Sequence, residues 1–255
     1  MMMLQETFNQ LQLREIFHLE FLRRFARIVA QENYALKGGS NLRFFFGNIR
    51  YSEDMDIDIR SVKVDFLKEE VMEILTSAIF KQTLKPFGVD EIVPPNMTKA
   101  KQTETTQRFK VHLISMAGED LFTKIEFSRR GFKGKTETEQ VSKDVVRRYK
   151  IPPLLVAHYD AVSAIEQKIA ALTDRSIAQA RDVFDLYILS TQFEAIPMQK
   201  KVPKKALHNI YEIIFEQFRD TVLSYLTPED RSAYDSVEAW DEVRLKVTEF
   251  LEKQK

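Results

Sequence analysis

The sequence predicts an α+β fold, a sheet-and-helix half followed by a wholly helical half. Three observations carry this. Between Tyr34 and Ser128, short apolar runs, some alternating with polar residues, are punctuated by glycine and proline in the manner of strands. From Leu154 onward the apolar residues instead recur three and four apart, the period of a helix face. Between these regions stands Pro152-Pro153, where neither element continues easily. The expected domains are therefore residues 1–151 and 152–255.

Taken in order, Phe8 to Ala30 reads as an amphipathic helix, its apolar positions including Leu11, Ile16, Phe17, Leu22, Phe25 and Ile28. Tyr34-Ala35-Leu36 is a short strand leading into Gly38-Gly39. Ser40 is expected to N-cap a short helix running through Phe46 and closed by Gly47. An acidic strand spans Asp54 to Arg60, and Asp65 to Phe80 has helical spacing. Strands are expected at Val89–Val93, Thr105–Met116 and Phe122–Phe127, with a further extended segment from Gln140 to Tyr149. The remaining helices are expected at Leu154–Leu172, Ala178–Leu189, Val202–Leu226 and Ser232–Glu252.

Composition bounds the chemistry. With 44% hydrophobic residues and 19 Phe among 255, a large aromatic core is available. The absence of Cys excludes disulfides, thiolate metal sites and a cysteine nucleophile. Formal net charge is zero, so any nucleic-acid surface must be local. No apolar run approaches the roughly 20 residues that span a bilayer. Met1 to Glu6 lacks the apolar core of a signal peptide, and a cytoplasmic location is expected.

The chemistry-bearing residues fall in two stretches. In the first, Lys37-Gly38-Gly39-Ser40 precedes Arg50-Tyr51-Ser52-Glu53-Asp54-Met55-Asp56-Ile57-Asp58. Strand residues two apart share a face, so Asp54, Asp56 and Asp58 project together, a charge arrangement that hard cations such as Mg²⁺ or Mn²⁺ relieve. A glycine turn lets backbone N–H groups approach phosphate oxygens. On the strand Phe122–Phe127, Lys124, Glu126 and Ser128 share one face, and Glu126 is the candidate third carboxylate; a surface or salt-bridged role is its alternative. Arg50 and Ser52 either contact a ligand or position the acidic strand. In the second stretch, Lys168 and Arg175 lie two helical turns apart, and Asp182 and Asp185 are neighbours on the next helix. These four either serve a phosphate site or tie helices together by ion pairs.

Both stretches together resemble the AbiEii/AbiGii toxin family of nucleotidyltransferases. The resemblance rests on Lys37-Gly38-Gly39-Ser40-x-Leu42, Gly47, Arg50-x-Ser52-x-Asp54-x-Asp56, Lys168-x-x-Ala171-x-x-x-Arg175 and Arg181-Asp182-x-x-Asp185. It covers Lys37 to Leu186 and implies a minimal polymerase-β-like core, a mixed sheet flanked by helices, with a helical C-terminal domain completing the nucleotide site. It further implies metal-dependent transfer of NMP from an NTP to an acceptor hydroxyl, with the tRNA 3′ end the expected acceptor. The setting would be a toxin–antitoxin or abortive-infection pair, with a cognate antitoxin as partner. By that resemblance Asp54, Asp56 and Glu126 hold Mg²⁺ or Mn²⁺, with Glu126 activating the hydroxyl. Gly39, Ser40, Arg50, Ser52, Lys168 and Arg175 bind the nucleotide, and Asp185 has a catalytic or orienting role. Two other readings stay open, nucleotidylation of a protein or small molecule and a non-catalytic nucleotide-binding regulator. For RNA, local basic runs are available: Arg129 to Lys150 holds eight Lys or Arg against three acids, and Lys200-Lys201 with Lys204-Lys205 forms another. The four histidines show no metal-ligand spacing and are expected to be structural.

Overall fold

A computed structural model describes residues 8–98, 100–194, 196–198 and 201–254. The expectations for Met1 to Glu6 and for Lys200 lie outside the described residues. The chain forms two compact units, one of residues 1–41, 51–132 and 136–158, the other of residues 42–50, 133–135 and 159–255. The architecture is α+β, a mixed sheet flanked by helices with a helical C-terminal region.

In the first unit the order is α1 (Gln10–Ile28), β1 (Tyr34–Lys37), the start of α2 (Gly38–Phe45), β2 (Met55–Ile59), α3 (Val64–Thr76), α4 (Ala78–Leu84), β3 (Val89–Val93), β4 (Thr106–Ser115), β5 (Asp120–Ser128), β6 (Thr136–Gln140), α5 (Lys143–Arg148) and β7 (Leu155–Tyr159). The seven strands lie side by side in the order β3-β4-β5-β2-β1-β7-β6. β2 runs antiparallel to β1 and parallel to β5, while β4 and β5 form a long antiparallel hairpin. The alternation read in the hairpin sequence is obeyed. Phe109, Val111, Leu113, Leu121, Ile125 and Phe127 enter the core, and their polar neighbours face out.

The phenylalanine load goes into this core. Phe25 of α1 meets Phe127 at 5.3 Å between centroids, Phe109 meets Phe127 edge-on at 5.9 Å, and Phe17 meets Phe80 at 5.8 Å. α1 starts from a reciprocal cap, Asn9 and Gln12 each bonding the other's backbone N–H.

The second unit contains α6 (Ala161–Asp174), α7 (Ala180–Ser190), α8 (Lys204–Tyr211), α9 (Phe215–Thr221), α10 (Pro228–Ser232) and α11 (Val237–Lys253). Its core gathers Ile165, Leu172, Phe184, Leu186, Phe218 and Trp240, with Trp240 stacked on Phe218 at 4.4 Å.

Five local expectations are corrected. α2 begins at Gly38, so Ser40 lies inside the helix rather than capping it. The helix expected over Asp65 to Phe80 breaks at Ser77, whose hydroxyl accepts from the Phe80 N–H and starts α4. The segment Gln140–Tyr149 is not extended: Ser142 caps a short helix there. Leu155–Tyr159 is a strand rather than the first turn of a helix, and α6 starts only after Asp160, which accepts from the Ser163 N–H. The helix expected over Val202 to Leu226 is divided into α8, α9 and a short 3-10 turn. At its first break the Ile213 carbonyl accepts from the Trp240 indole N–H at 3.0 Å, a tertiary bond that local spacing does not announce.

Candidate active site

The site in the first unit is a row of charges crossing four strands. Lys37 on β1 is paired with Asp56 on β2, Asp56 with Glu126 on β5, and Glu126 with Arg108 on β4. Residues directly opposite in a sheet share a face, so the row reads cation, carboxylate, carboxylate, cation. Arg108 Nε donates to Glu126 Oε2 at 2.7 Å, and Lys37 Nζ donates to Asp58 Oδ1. Lys124 Nζ lies 2.8 Å from Asp54 Oδ2 and 3.9 Å from Glu126 Oε2. Asp54, Asp56 and Glu126 thus belong to one cluster. Asp58 is turned to Lys37 and nearly buried.

Electrostatics sets Asp56 apart. Burial pushes its carboxyl above the ordinary range; Lys37 and Lys124 pull it back, and Glu126 and Asp54 push it up again. A backbone position makes room for it. Gly38 has φ +67°, a conformation that strains any other residue, and a Cβ there would crowd Asp56 Oδ2 at 3.2 Å. The amino-terminal end of α2, with Gly39 and Ser40, therefore lies beside the carboxylate row, where the positive end of a helix dipole favours anions.

Hydrogen bonds fix the start of β2. Ser40 Oγ and Ser52 Oγ both donate to the Asp54 carbonyl, at 3.1 and 2.7 Å. Thr123 Oγ1 donates to the Glu53 carbonyl at 2.7 Å, so the His18 Nε2 at 2.7 Å from that hydroxyl carries the hydrogen. Burial, with Arg14 adding to it, pushes His18 down to about 3, and the ring is neutral. Asn41 Oδ1 pairs with His158 Nδ1 at 3.0 Å in the buried first turns of α2.

The second unit carries a different network. Asp185 is fully buried and accepts from Asn48 Nδ2 at 2.7 Å and from Arg50 Nε and Nη2 at 3.1 Å. Lys168 Nζ lies 2.5 Å from Asp185 Oδ2 and 2.8 Å from Asp182 Oδ1, and Arg175 Nη1 lies 2.5 Å from Asp182 Oδ2. For Asp185, burial pushes the carboxyl up, but Arg50 and Lys168 together hold it below the ordinary range. For Lys168, burial lowers the ammonium, but Asp182 and Asp185 raise it overall. Every charge here has an opposite neighbour.

Sequence reasoning missed Lys37, Arg108 and Lys124 as counter-charges and Asn48 as a partner of Asp185. The shared face of Lys124 and Glu126 was a usable signal for the first group. Among the described residues, no three His, Cys, Asp or Glu side chains form a ready-made metal cage. The donor chemistry nevertheless fits a hard cation. Asp54 and Glu126 offer only oxygen, and they already share one positive charge, the Lys124 ammonium.

A family model described as nucleotidyl transferase AbiEii toxin, of a type IV toxin–antitoxin system, matches residues 20–254. Among solved structures the chain is similar to JHP933 from Helicobacter pylori, with 19% identity and a TM-score of 0.55, over 97% of this chain and 94% of that one. It is also similar to MenT4, a nucleotidyltransferase toxin from Mycobacterium tuberculosis H37Rv, with 17% identity and a TM-score of 0.58, over 96% of this chain and 85% of that one. At these identities the likeness establishes the fold. No curated protein matches the chain.

Proposed function

The chain belongs to the AbiEii nucleotidyltransferase toxin family, and from that premise we propose that it transfers NMP from an NTP to the 3′ hydroxyl of an RNA, a tRNA end being the expected acceptor. The observation that carries this is the alignment of Asp56 with Glu126, and of Asp54 beside them, next to the glycine turn that opens α2. Carboxylates in a shared row, one with its carboxyl raised by burial, are unfavourable unless a cationic ligand joins them.

Asp54, Asp56 and Glu126 are the residues that would hold Mg²⁺ or Mn²⁺. A divalent ion bound there supplies charge neutralisation for the triphosphate and a lower pKa for the attacking hydroxyl. The Gly39 and Ser40 backbone N–H groups take the β- and γ-phosphate oxygens. Glu126 accepts the hydroxyl proton as the acceptor oxygen bonds to the α-phosphorus. The α–β anhydride bond breaks and pyrophosphate leaves. Ser40 and Ser52, both bonded to the Asp54 carbonyl, hold the acidic strand in register.

For Lys168 and Arg175 nucleotide binding stays a proposal; within their own unit both are paired with and oriented by Asp182, and Lys168 also by Asp185. Arg50, bonded to Asp185, acts through that network. As a type IV toxin the protein would be paired with a cognate antitoxin. With NTP and tRNA as its proposed substrates, a cytoplasmic location is part of the same proposal. Among the described residues no helix is long and apolar enough to cross a membrane.

The test is transfer of α-labelled nucleotide, each of the four NTPs with Mg²⁺ and total tRNA, beside an Asp56→Ala control. Label entering tRNA only with intact Asp56 is expected. Label entering protein or a small molecule instead would overturn the RNA acceptor, and no transfer with any acceptor would leave a nucleotide-binding regulator.

A further inference from the structure

The β4–β5 hairpin turns one face to the core and the other outward. On the outward face Arg108, Lys110 and His112 of β4 stand opposite Glu126, Lys124 and Phe122 of β5. Phe122 is 58% exposed, although its strand neighbours Leu121 and Thr123 are buried. It is stacked on the His112 ring, with centroids 4.6 Å apart and planes at 21°. His112 Nε2 is held by Asp120 Oδ1 at 2.6 Å, which fixes the lower ring of the stack. Beside the stack, Lys110 is exposed.

Lys110, His112 and Phe122 line an open pocket of about 510 Å³ whose wall also includes Glu53, Asp54 and Lys124. That volume suits a small organic group such as a nucleoside. Asp54 therefore faces two ways, toward the carboxylate row and into this pocket. The pocket combines a flat aromatic face, a solvent-facing cation and direct continuity with the reacting centre. Proteins bind single-stranded nucleic acid with these parts: a ring for the base to stack on and basic side chains along the phosphates. A folded duplex would offer no free base face to Phe122.

We propose that this pocket is the acceptor site. The terminal base of a single-stranded RNA 3′ end stacks on Phe122, Lys110 meets a phosphate of the preceding nucleotides, and the terminal hydroxyl is delivered beside Asp54. The proposal rests on the nucleotidyl-transfer reading above and names where its acceptor binds.

The test is fluorescence anisotropy with a short 5′-labelled single-stranded RNA bearing a free 3′ hydroxyl, without NTP, using the full chain. Phe122 is exposed, so Phe122→Ala keeps the fold, which its melting temperature verifies. Phe122→Ala is expected to weaken RNA binding roughly tenfold or more, while Phe122→Trp restores it. Lys110→Glu weakens it as well and reduces its salt dependence. Binding of a non-hydrolysable NTP analogue stays unchanged in all three. Wild-type RNA binding that survives Phe122→Ala and Lys110→Glu would overturn the acceptor pocket while leaving the transfer chemistry intact. A wild-type protein that binds no RNA and labels a protein instead would overturn both the pocket and the RNA acceptor.

Discussion

Two charged clusters are built on opposite terms. Around Asp185, Lys168, Arg50, Asp182 and Asn48 satisfy one another within a buried core, and the two central charges have their ionised forms reinforced. Around Asp56, four carboxylates (Asp54, Asp56, Asp58 and Glu126) share three cations (Lys37, Lys124 and Arg108), and burial raises the Asp56 carboxyl. The first arrangement is complete without a ligand. The second is frustrated, and frustration of this kind marks a place where function costs stability.

The contrast sharpens most at the motif aspartates. Asp54→Ala or Asp56→Ala is expected to lower transfer by about a thousandfold or more while far-UV circular dichroism stays native. A variant that unfolds would place these residues with the structural cluster instead.

Next in size is Asp185→Ala, which removes the buried carboxylate that Arg50, Lys168 and Asn48 share. A loss of about 3–5 kcal/mol in urea unfolding is expected; a loss under about 1 kcal/mol would break the contrast from the other side.

The pH dependence separates the clusters further. Asp185 has a lowered carboxyl, so its contribution is present above the ordinary carboxylate value of 3.8 and is lost as pH falls through its lower folded value. Lys168 is raised, so its contribution holds below the ordinary value of 10.5 and is lost as pH rises through its higher folded value. Wild-type stability should be lost at both extremes, and Asp185→Asn should flatten the acid limb in thermal melts.

A smaller effect is expected at Lys124. Removing its ammonium from Asp54 and Glu126 in Lys124→Ala should tighten Mn²⁺ binding roughly tenfold, measured by electron paramagnetic resonance of free Mn²⁺. Unchanged or weaker binding would show that Asp54 and Glu126 do not share a cation site.

The acidic strand was legible because the period of two is written directly in Asp54-x-Asp56-x-Asp58, and the aromatic core because alternation in β4 and β5 is regular. The parallel pairing of Asp56 with Glu126 was not, because no local pattern states which strands become neighbours. The bond from Asn48 to Asp185 spans 137 positions and leaves no trace in spacing. The strand β7 was read as helix because five residues, Leu155 to Tyr159, are too short to establish a period, and the cap at Asp160 was overlooked. Phe122 shares the parity of Lys124 and Glu126, so alternation already put it on their face; its stack with His112 needed the register of β4 against β5.

The central claim is that the Asp56 cluster gives up stability to hold a ligand. It is tested most directly by measuring melting temperature and nucleotidyl transfer on one preparation of Asp56→Asn. The raised Asp56 carboxyl favours the fold only when protonated, so its ionised form is a cost at neutral pH. The substitution should therefore raise the melting temperature at pH 7, lose that advantage as pH falls toward the ordinary carboxylate range, and abolish transfer. A lower melting temperature, or transfer that persists, would contradict the account.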